Sequence, residues 1–314
     1  MSIVVTGATG QLGRLIVAAL RERGVPAGDI VAVGRNTDRL AELAGQGVVT
    51  RRADYDDPDS LRAAFADADK LMFVSGSEVG RRRPQHRNVV TAAREAGVGL
   101  VVYTSIAHAD TAGMRLAGEH RDTEGYVREA GLPYVFLRNS WYLENYIDQL
   151  DAYRKQGVAG AAGDGRVSAA TRADYAEAAA VVLTSDGHEN RVYELGGAPF
   201  TLTELAAEVT RQTGEKVGYT DLPADRYTEV LIAAGLPEGY AAVLADSDLG
   251  LARGELEVGD DLATLLGRTP TPAPGRPGRR SGARRSPGLR RARRAASPGR
   301  PPGSARSRRS PPSG

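Results

Sequence analysis

The chain has 314 residues with 41% hydrophobic and 25% charged side chains, no cysteine and a formal net charge of +2. That length suits one large α/β domain or a nucleotide-binding domain with a smaller partner, and the missing cysteine excludes disulfides, cysteine metal sites and a thiol nucleophile. No apolar run approaches membrane-spanning length and the first residues enter a predicted strand at once, so a cytoplasmic protein without membrane contact is expected.

The first strand covers residues 3–5 and runs straight into Thr6, Gly7, Ala8, Thr9, Gly10, Gln11, Leu12 and Gly13. From there Leu12, Leu15, Ile16, Ala19 and Leu20 recur at helical spacing. Strand, glycine-rich turn and helix in this order present backbone N–H groups and a helix N-terminus to a pyrophosphate. Gly7 permits the tight turn, Gly10 lets the backbone approach the phosphates, and Gly13 lets helix and strand pack closely. Ala8, Thr9, Gln11 and Leu12 complete the predicted cofactor cradle. A purely structural turn is the alternative, and it explains less of this context.

The second strand, residues 30–34, is followed by Arg35. NAD-preferring sites place an acidic residue at this strand end to accept from the ribose diol. Arg35 instead suits bidentate pairing with a 2′-phosphate, the alternative being a solvated loop residue. The expected cofactor is therefore NADPH. Asp54, after a third strand at 48–52, either accepts from the adenine amino group or caps the helix that begins near Pro58.

A helix at 60–66, a strand at 70–75, a helix at 84–96, a strand at 100–104, a helix at 117–130 and a strand at 134–137 follow. This alternation predicts the α/β class, a Rossmann doubly wound parallel sheet with a small mainly helical C-terminal lobe. Further helices are expected at 142–155, 170–183, 201–213, 224–234 and 239–249, with a strand at 192–195. Thr201 or Thr203 stands near the N-cap of the 201–213 helix. Residues 1–196 read as the NADP(H)-binding domain and 197–267 as a substrate lobe closing over the nicotinamide.

Residues 268–314 hold 14 arginines, no acidic residue and 10 of the 17 prolines, leaving residues 1–267 with a net charge of −12. Such a composition buries no core, so a disordered tail is expected. Lacking aromatics and base-reading motifs, it offers only non-specific attraction to phosphates, and no specific nucleic-acid partner is expected. The same residues are what GC-rich DNA encodes in a wrong frame, which makes a frameshifted or dispensable extension the other reading.

Three stretches carry a family resemblance. Ser75-Gly76-Ser77-Glu78-Val79-Gly80 follows the fourth strand and continues to Pro84-Gln85-His86-Arg87-Asn88-Val89-Val90. Leu137-Arg138-Asn139-Ser140-Trp141-Tyr142-Leu143-Glu144-Asn145-Tyr146 follows the sixth. Gly163-Asp164-Gly165 leads into Ala170-Thr171-Arg172-Ala173-Asp174-Tyr175. With the glycine turn, these closely resemble the bacterial NADPH:quinone oxidoreductases of the NmrA-like branch of atypical short-chain dehydrogenases, over residues 2–267. The resemblance implies Arg35 on the 2′-phosphate, and Ser75, Gly76, Ser77 and Glu78 against the ribose and nicotinamide side. It also implies Asn139 and Arg172 beside the cofactor, and Ser140, Trp141 and Tyr142 beside a quinone substrate. Trp141 and Tyr142 offer flat apolar faces for a planar ring, or else are core aromatics.

Typical short-chain dehydrogenases use a Tyr-x-x-x-Lys proton relay. None of the 12 tyrosines here has a lysine four residues on, which argues against alcohol–ketone chemistry. Quinone reduction needs that relay less, since solvent or a weak acid protonates the oxygens once a hydride has reached the ring. Tyr103, His108, His120 and Glu124 are candidate proton donors, each with a structural alternative as packed tyrosine, surface histidine or solvated acid. His86, His108, His120 and His188 show no metal-ligand spacing, so neither metal nor flavin is expected. A non-enzymatic NADP(H)-binding redox sensor is the alternative function, and a homodimer the default assembly.

Overall fold

The structure, a computed structural model, describes residues 1–272. Its strands are β1 (Ile3–Val5), β2 (Ile30–Gly34), β3 (Val49–Arg52), β4 (Lys70–Phe73), β5 (Leu100–Ile106), β6 (Tyr134–Asn139), β7 (Val158–Gly160), β8 (Arg191–Leu195) and β9 (Tyr219–Asp221). All but β7 and β9 form one parallel sheet in the order β3-β2-β1-β4-β5-β6-β8. Every residue of β1, β2 and β5 is buried, the pattern of central strands covered on both faces.

The helices are α1 (Gln11–Glu22), α2 (Ala41–Gly45), α3 (Pro58–Phe65), α4 (Arg82–Glu95), α5 (Arg115–Glu129), α6 (Glu144–Ile147), α7 (Leu150–Gln156), α8 (Arg172–Thr184), α9 (Leu202–Thr213), α10 (Ala224–Ala233), α11 (Glu238–Ala252) and α12 (Asp261–Leu266). Side-chain alternation sorts the sheet into two cores. Ile3, Val5, Ala32, Met72, Val102 and Leu137 point to α1 and α8, where Ile16, Leu20 and Tyr175 receive them. Val4, Val31, Leu71, Phe73, Val101 and Phe136 point to α3, α4 and α5, against Phe65, Val89 and Val127. Connections from β1 run outward through β2 to β3, then return to β4 on the other side of β1. Ligands bind outside the carboxyl ends of strands at such a reversal.

A third core gathers Ile106, Met114, Tyr153, Val158, Phe200, Leu202, Val209, Leu251 and Leu256 into the lobe. Residues 143–167 therefore build the lobe together with 197–258, whereas Leu262 of α12 returns to the α1/α8 core of the main sheet. The parallel pair β7–β9, in register Val158↔Tyr219, lies in this lobe and was absent from the sequence expectation. Three residues per strand give alternation too little length to read. In α9 the N-cap is Thr201: its hydroxyl accepts from Glu204 N, and the Glu204 carboxylate accepts from Thr201 N, both at 3.0 Å.

Two expectations are corrected. The helix expected over 142–155 is two short ones, α6 and α7, and the first starts only at Glu144 because Tyr142 is bridged to Ala170: Ala170 N donates to Trp141 O at 3.1 Å and Leu143 N to Ala170 O at 2.9 Å. The same pairing delays α8 to Arg172, with the Thr171 hydroxyl accepting from Asp174 N as its cap. Of the expected 268–314 tail, only 268–272 lie within the described residues. There Arg268 pairs with Asp174 and Glu177 on α8, and Thr271 N donates to Asp174 Oδ2 at 2.9 Å. The frameshift and disorder readings otherwise fall on residues 273–314, outside the described residues. No helix among the described residues is long and apolar enough to cross a membrane.

Inside the lobe, Asp248 of α11 accepts from Ala161 N at 2.9 Å just past β7. Burial pushes its carboxyl up to about 6, partly opposed by that hydrogen bond and reinforced by Asp221; Tyr153, Tyr219 and Tyr227 also face it. Between the unfolded value near 4 and about 6, the native state holds the proton and the unfolded state has lost it. Stability therefore falls as pH rises through this window and stays lowered above it. Asp248→Asn keeps an acceptor for Ala161 N–H without the buried charge. It is expected to gain on the order of 2–3 kcal/mol at pH 8 and nothing at pH 4, as read from thermal melts. A gain of equal size at both pH values contradicts this account.

Candidate nucleotide-binding site

A cleft of about 480 Å³ opens at the reversal, walled by the β1–α1 turn, the ends of β2 and β3, the segment after β4, and Tyr142 with Arg172. Gly7 has φ +61°, in the left-handed region that favours glycine. Its carbonyl accepts from Gly10 N at 2.9 Å, which closes the turn. Gly10 is the N-cap of α1, with no side-chain cap and no acidic residue in the first turn. The amide groups at this helix start therefore face the cleft with the positive end of the helix dipole unscreened. A Cβ on Gly13 would lie 2.3 Å from Gly7 O and 2.8 Å from Ala8 Cα, so glycine alone lets α1 sit this close to the turn. Gly34 plays the matching part on β2, where a Cβ would meet Thr9 Cγ2 at 2.5 Å.

Thr9, Gln11 and Leu12 line the cleft with the three glycines of the turn. Ala8 does not: it is fully buried and its amide donates to Val33 O at 3.0 Å, tying the turn to β2. Arg35 stands at the cleft edge and pairs with Glu78 at 2.7 Å. Asp54 also lines the cleft, and its capping alternative is removed because Asp57 caps α3, accepting from Asp59 N and Ser60 N.

Ser75, Gly76, Ser77 and Glu78 form the opposite wall. Ser75 N donates to Thr104 Oγ1 at 2.8 Å. The Gly76 peptide is held at both ends by α4: its N–H donates to His86 Nε2 at 2.9 Å, and its carbonyl accepts from Arg82 Nε at 2.6 Å. Arg82 in turn pairs with Glu119 of α5, whose other oxygen accepts from Gly80 N. Burial, aided by Arg82, pushes His86 down to about 3, so it is neutral. Thr123 Oγ1 donates to Glu119 O, so His86 Nδ1 carries the proton shared with Thr123 and Nε2 is free to accept from Gly76.

At the far end, the Arg172 guanidinium lies 4.4 Å from the centroid of the Tyr142 ring and donates to Asn145 Oδ1 at 2.9 Å. Burial raises the Tyr142 hydroxyl, against the opposing pull of Asn139 and Arg172, so it is protonated at neutral pH.

Several expected residues lie elsewhere. Asn139 and Ser140 are buried behind Tyr142, with Ser140 Oγ donating to Leu256 O at 2.7 Å. Trp141 packs on the lobe core instead of the cleft. Tyr103 is fully buried, its hydroxyl 2.7 Å from His120 Nδ1, so neither reaches a substrate. His108 Nε2 donates to Glu257 O at 2.9 Å, which ties the β5 end to the lobe and away from the cleft. Glu124 is buried with two hydrogen bonds from Arg138, at 2.9 and 2.8 Å. Each is withdrawn as a proton donor because a general acid must reach the reacting atoms.

Tyr55, Arg82 and Gln85 line the cleft without having been singled out. Gln85 and His86 did stand within the Pro84–Val90 stretch. Tyr55 and Arg82 carried no readable signal, since a tyrosine after a strand and an arginine opening a helix are ordinarily surface features. No cluster of three or more His, Asp or Glu suited to a metal occurs among the described residues.

Residues 7–186 match a family of NAD(P)H-binding proteins. Quinone oxidoreductase 2 of Escherichia coli K12 is 49% identical over 265 residues, covering 84% of this chain and 92% of its own. The crystal structure of the E. coli enzyme complexed with NADPH superposes with a TM-score of 0.84 and 47% identity, covering 86% of this chain and 96% of that one. An NmrA-like family domain-containing oxidoreductase of Aspergillus flavus is 29% identical over 284 residues, 87% of this chain and 92% of its own. Together with the glycine cradle and the parallel sheet, these matches place the chain: it belongs to the NAD(P)H-binding oxidoreductases.

Proposed function

We propose that the protein reduces quinones to quinols at the expense of NADPH, by direct hydride transfer and without flavin or metal. The observation that carries this reading is the 49% identity to quinone oxidoreductase 2 across 84% of the chain, with the glycine cradle intact. When bound, the cofactor supplies a hydride from its nicotinamide ring. The α1 N-terminus with Gly7, Gly10 and Gly13 holds the pyrophosphate, and Arg35 meets the 2′-phosphate. Ser75 and Gly76 form the rigid edge of the cleft, Ser75 fixed by Thr104 and Gly76 by His86 and Arg82. Tyr142, held flat by Arg172, walls the far end and offers a face to a planar acceptor.

The buried hydroxyls of Tyr55 and Tyr142 both have raised pKa values, so neither is a ready acid, and the one net proton that completes the quinol after hydride transfer comes from solvent at the cleft mouth. The rate then rests on positioning the acceptor.

A steady-state assay with NADPH and a simple benzoquinone tests the reading: turnover is expected, and none above the uncatalysed rate contradicts it. Arg35→Gln is expected to raise KM for NADPH roughly tenfold and leave that for NADH unchanged, as fits the loss of one charge-assisted contact. An equal rise for both cofactors would remove Arg35 from the 2′-phosphate. The non-enzymatic sensor alternative is not favoured, since quinone oxidoreductase 2, at 49% identity over 84% of the chain, is an oxidoreductase.

A further inference from the structure

Arg35 is not a free cation awaiting a phosphate. Its Nη1 lies 2.7 Å from Glu78 Oε1, so the end of β2 is bridged to the segment after β4 across the cleft edge. Glu78 Oε2 accepts from Gln85 Nε2 at 3.3 Å, and the same amide donates to Asp56 Oδ2 at 3.1 Å. Asp56 Oδ1 in turn pairs with Arg81 at 3.0 Å. Arg35, Glu78, Gln85, Asp56 and Arg81 thus form one chain of alternating donors and acceptors around the mouth of the cleft. Arg35, Glu78 and Gln85 belong to the cleft wall itself.

We propose that Glu78 is a specificity-determining competitor for Arg35: its carboxylate stands where the 2′-phosphate of NADPH would pair, so phosphorylated cofactors bind by exchange of one anion for another. The proposal rests on the reading of Arg35 as the 2′-phosphate partner. A dianionic phosphate with three acceptor oxygens outcompetes a singly charged carboxylate for a guanidinium fork. A ribose diol carries no charge to offer Arg35, so the bridge stays closed when NADH binds. Glu78 therefore lowers affinity for NADPH selectively and sets how far the enzyme discriminates. Both partners are more than a third exposed, which keeps the pair weak enough to open.

The test is equilibrium binding, followed by nicotinamide fluorescence, of NADPH, NADH and adenosine 2′-phosphate to wild type, Glu78→Gln, Arg35→Gln and the double variant. An exposed pair contributes up to about 1 kcal/mol, or roughly fivefold. Glu78→Gln is expected to tighten NADPH and adenosine 2′-phosphate by about threefold to fivefold, with NADH within twofold. In the Arg35→Gln background the same change is expected to do nothing. Weaker NADPH binding in Glu78→Gln, or equal tightening of NADPH and NADH, overturns the proposal. Equal wild-type affinities for NADPH and NADH refute the underlying Arg35 reading instead, and the two failures are distinct.

Discussion

Replacing Gly13 with alanine is expected to abolish measurable NADPH binding and to lower the melting temperature. The added Cβ would meet Gly7 O at 2.3 Å, Gly7 C at 2.7 Å and Ala8 Cα at 2.8 Å, all of them backbone atoms that cannot swing aside. Relief requires α1 to move away from the β1 turn, which withdraws the amide groups that face the cleft. Overpacking of this kind costs about 1–3 kcal/mol, and at about 2–4 °C per kcal/mol for a domain of this size the melting shift is several degrees. The loss of binding is the larger effect, because the cradle is rebuilt at the wrong distance. Gly10→Ala makes a useful control: its Cβ would lie 3.2 Å from Gly7 O, tight but with room to adjust. Binding isotherms and melts of both variants check the ranking, and Gly13→Ala with wild-type affinity contradicts it.

The second large effect is on stability. Glu124 is almost wholly buried between α5 and the β5–β6 ends, where it accepts from Arg138 Nε and Nη2 and from Ser105 Oγ at 2.7 Å. Arg138 is equally buried and also reaches Glu194 at 3.0 Å and Asp110 at 2.9 Å. Breaking a buried pair by removing one partner costs about 3–5 kcal/mol; Arg138 keeps Asp110 and Glu194 on Nη1, so leaving its Nε and Nη2 unpaired falls at the lower end of that range. Glu124→Ala is expected to melt roughly 10 °C below wild type, while protein that remains folded keeps its KM for NADPH. A proton donor would behave in the opposite way, losing kcat at unchanged stability, so the pair of measurements separates the two roles.

The glycine turn, Arg35 and the segment after β4 were legible because their chemistry is local. A strand, a turn and a helix in immediate succession leave one geometry for the backbone, and spacing alone reports it. The region after β6 was less legible. Asn139, Ser140, Trp141 and Tyr142 are consecutive, yet Tyr142 alone reaches the cleft. The pairing of Trp141 and Leu143 with Ala170 decides which side chain turns inward, and that partner is some 30 residues away in sequence. Tyr103 and His120, candidate proton donors in the sequence, are removed from the cleft for the same reason: they hydrogen-bond to each other between the sheet and α5. The clamp of His86 and Arg82 on Gly76 depends on two α4 side chains one turn apart meeting a loop residue ten and six positions earlier, which composition does not announce. The β7–β9 pair and the return of α12 to the main sheet are likewise products of long-range packing.

The most direct test of the account is an anaerobic single-turnover experiment. Flavin-free protein carrying one equivalent of NADPH is mixed with excess benzoquinone, and nicotinamide absorbance and quinol are followed together. Nicotinamide absorbance is expected to disappear with formation of one quinol per NADPH, faster than in buffer alone. NADPH that stays bound and unoxidised while quinone is present would contradict it.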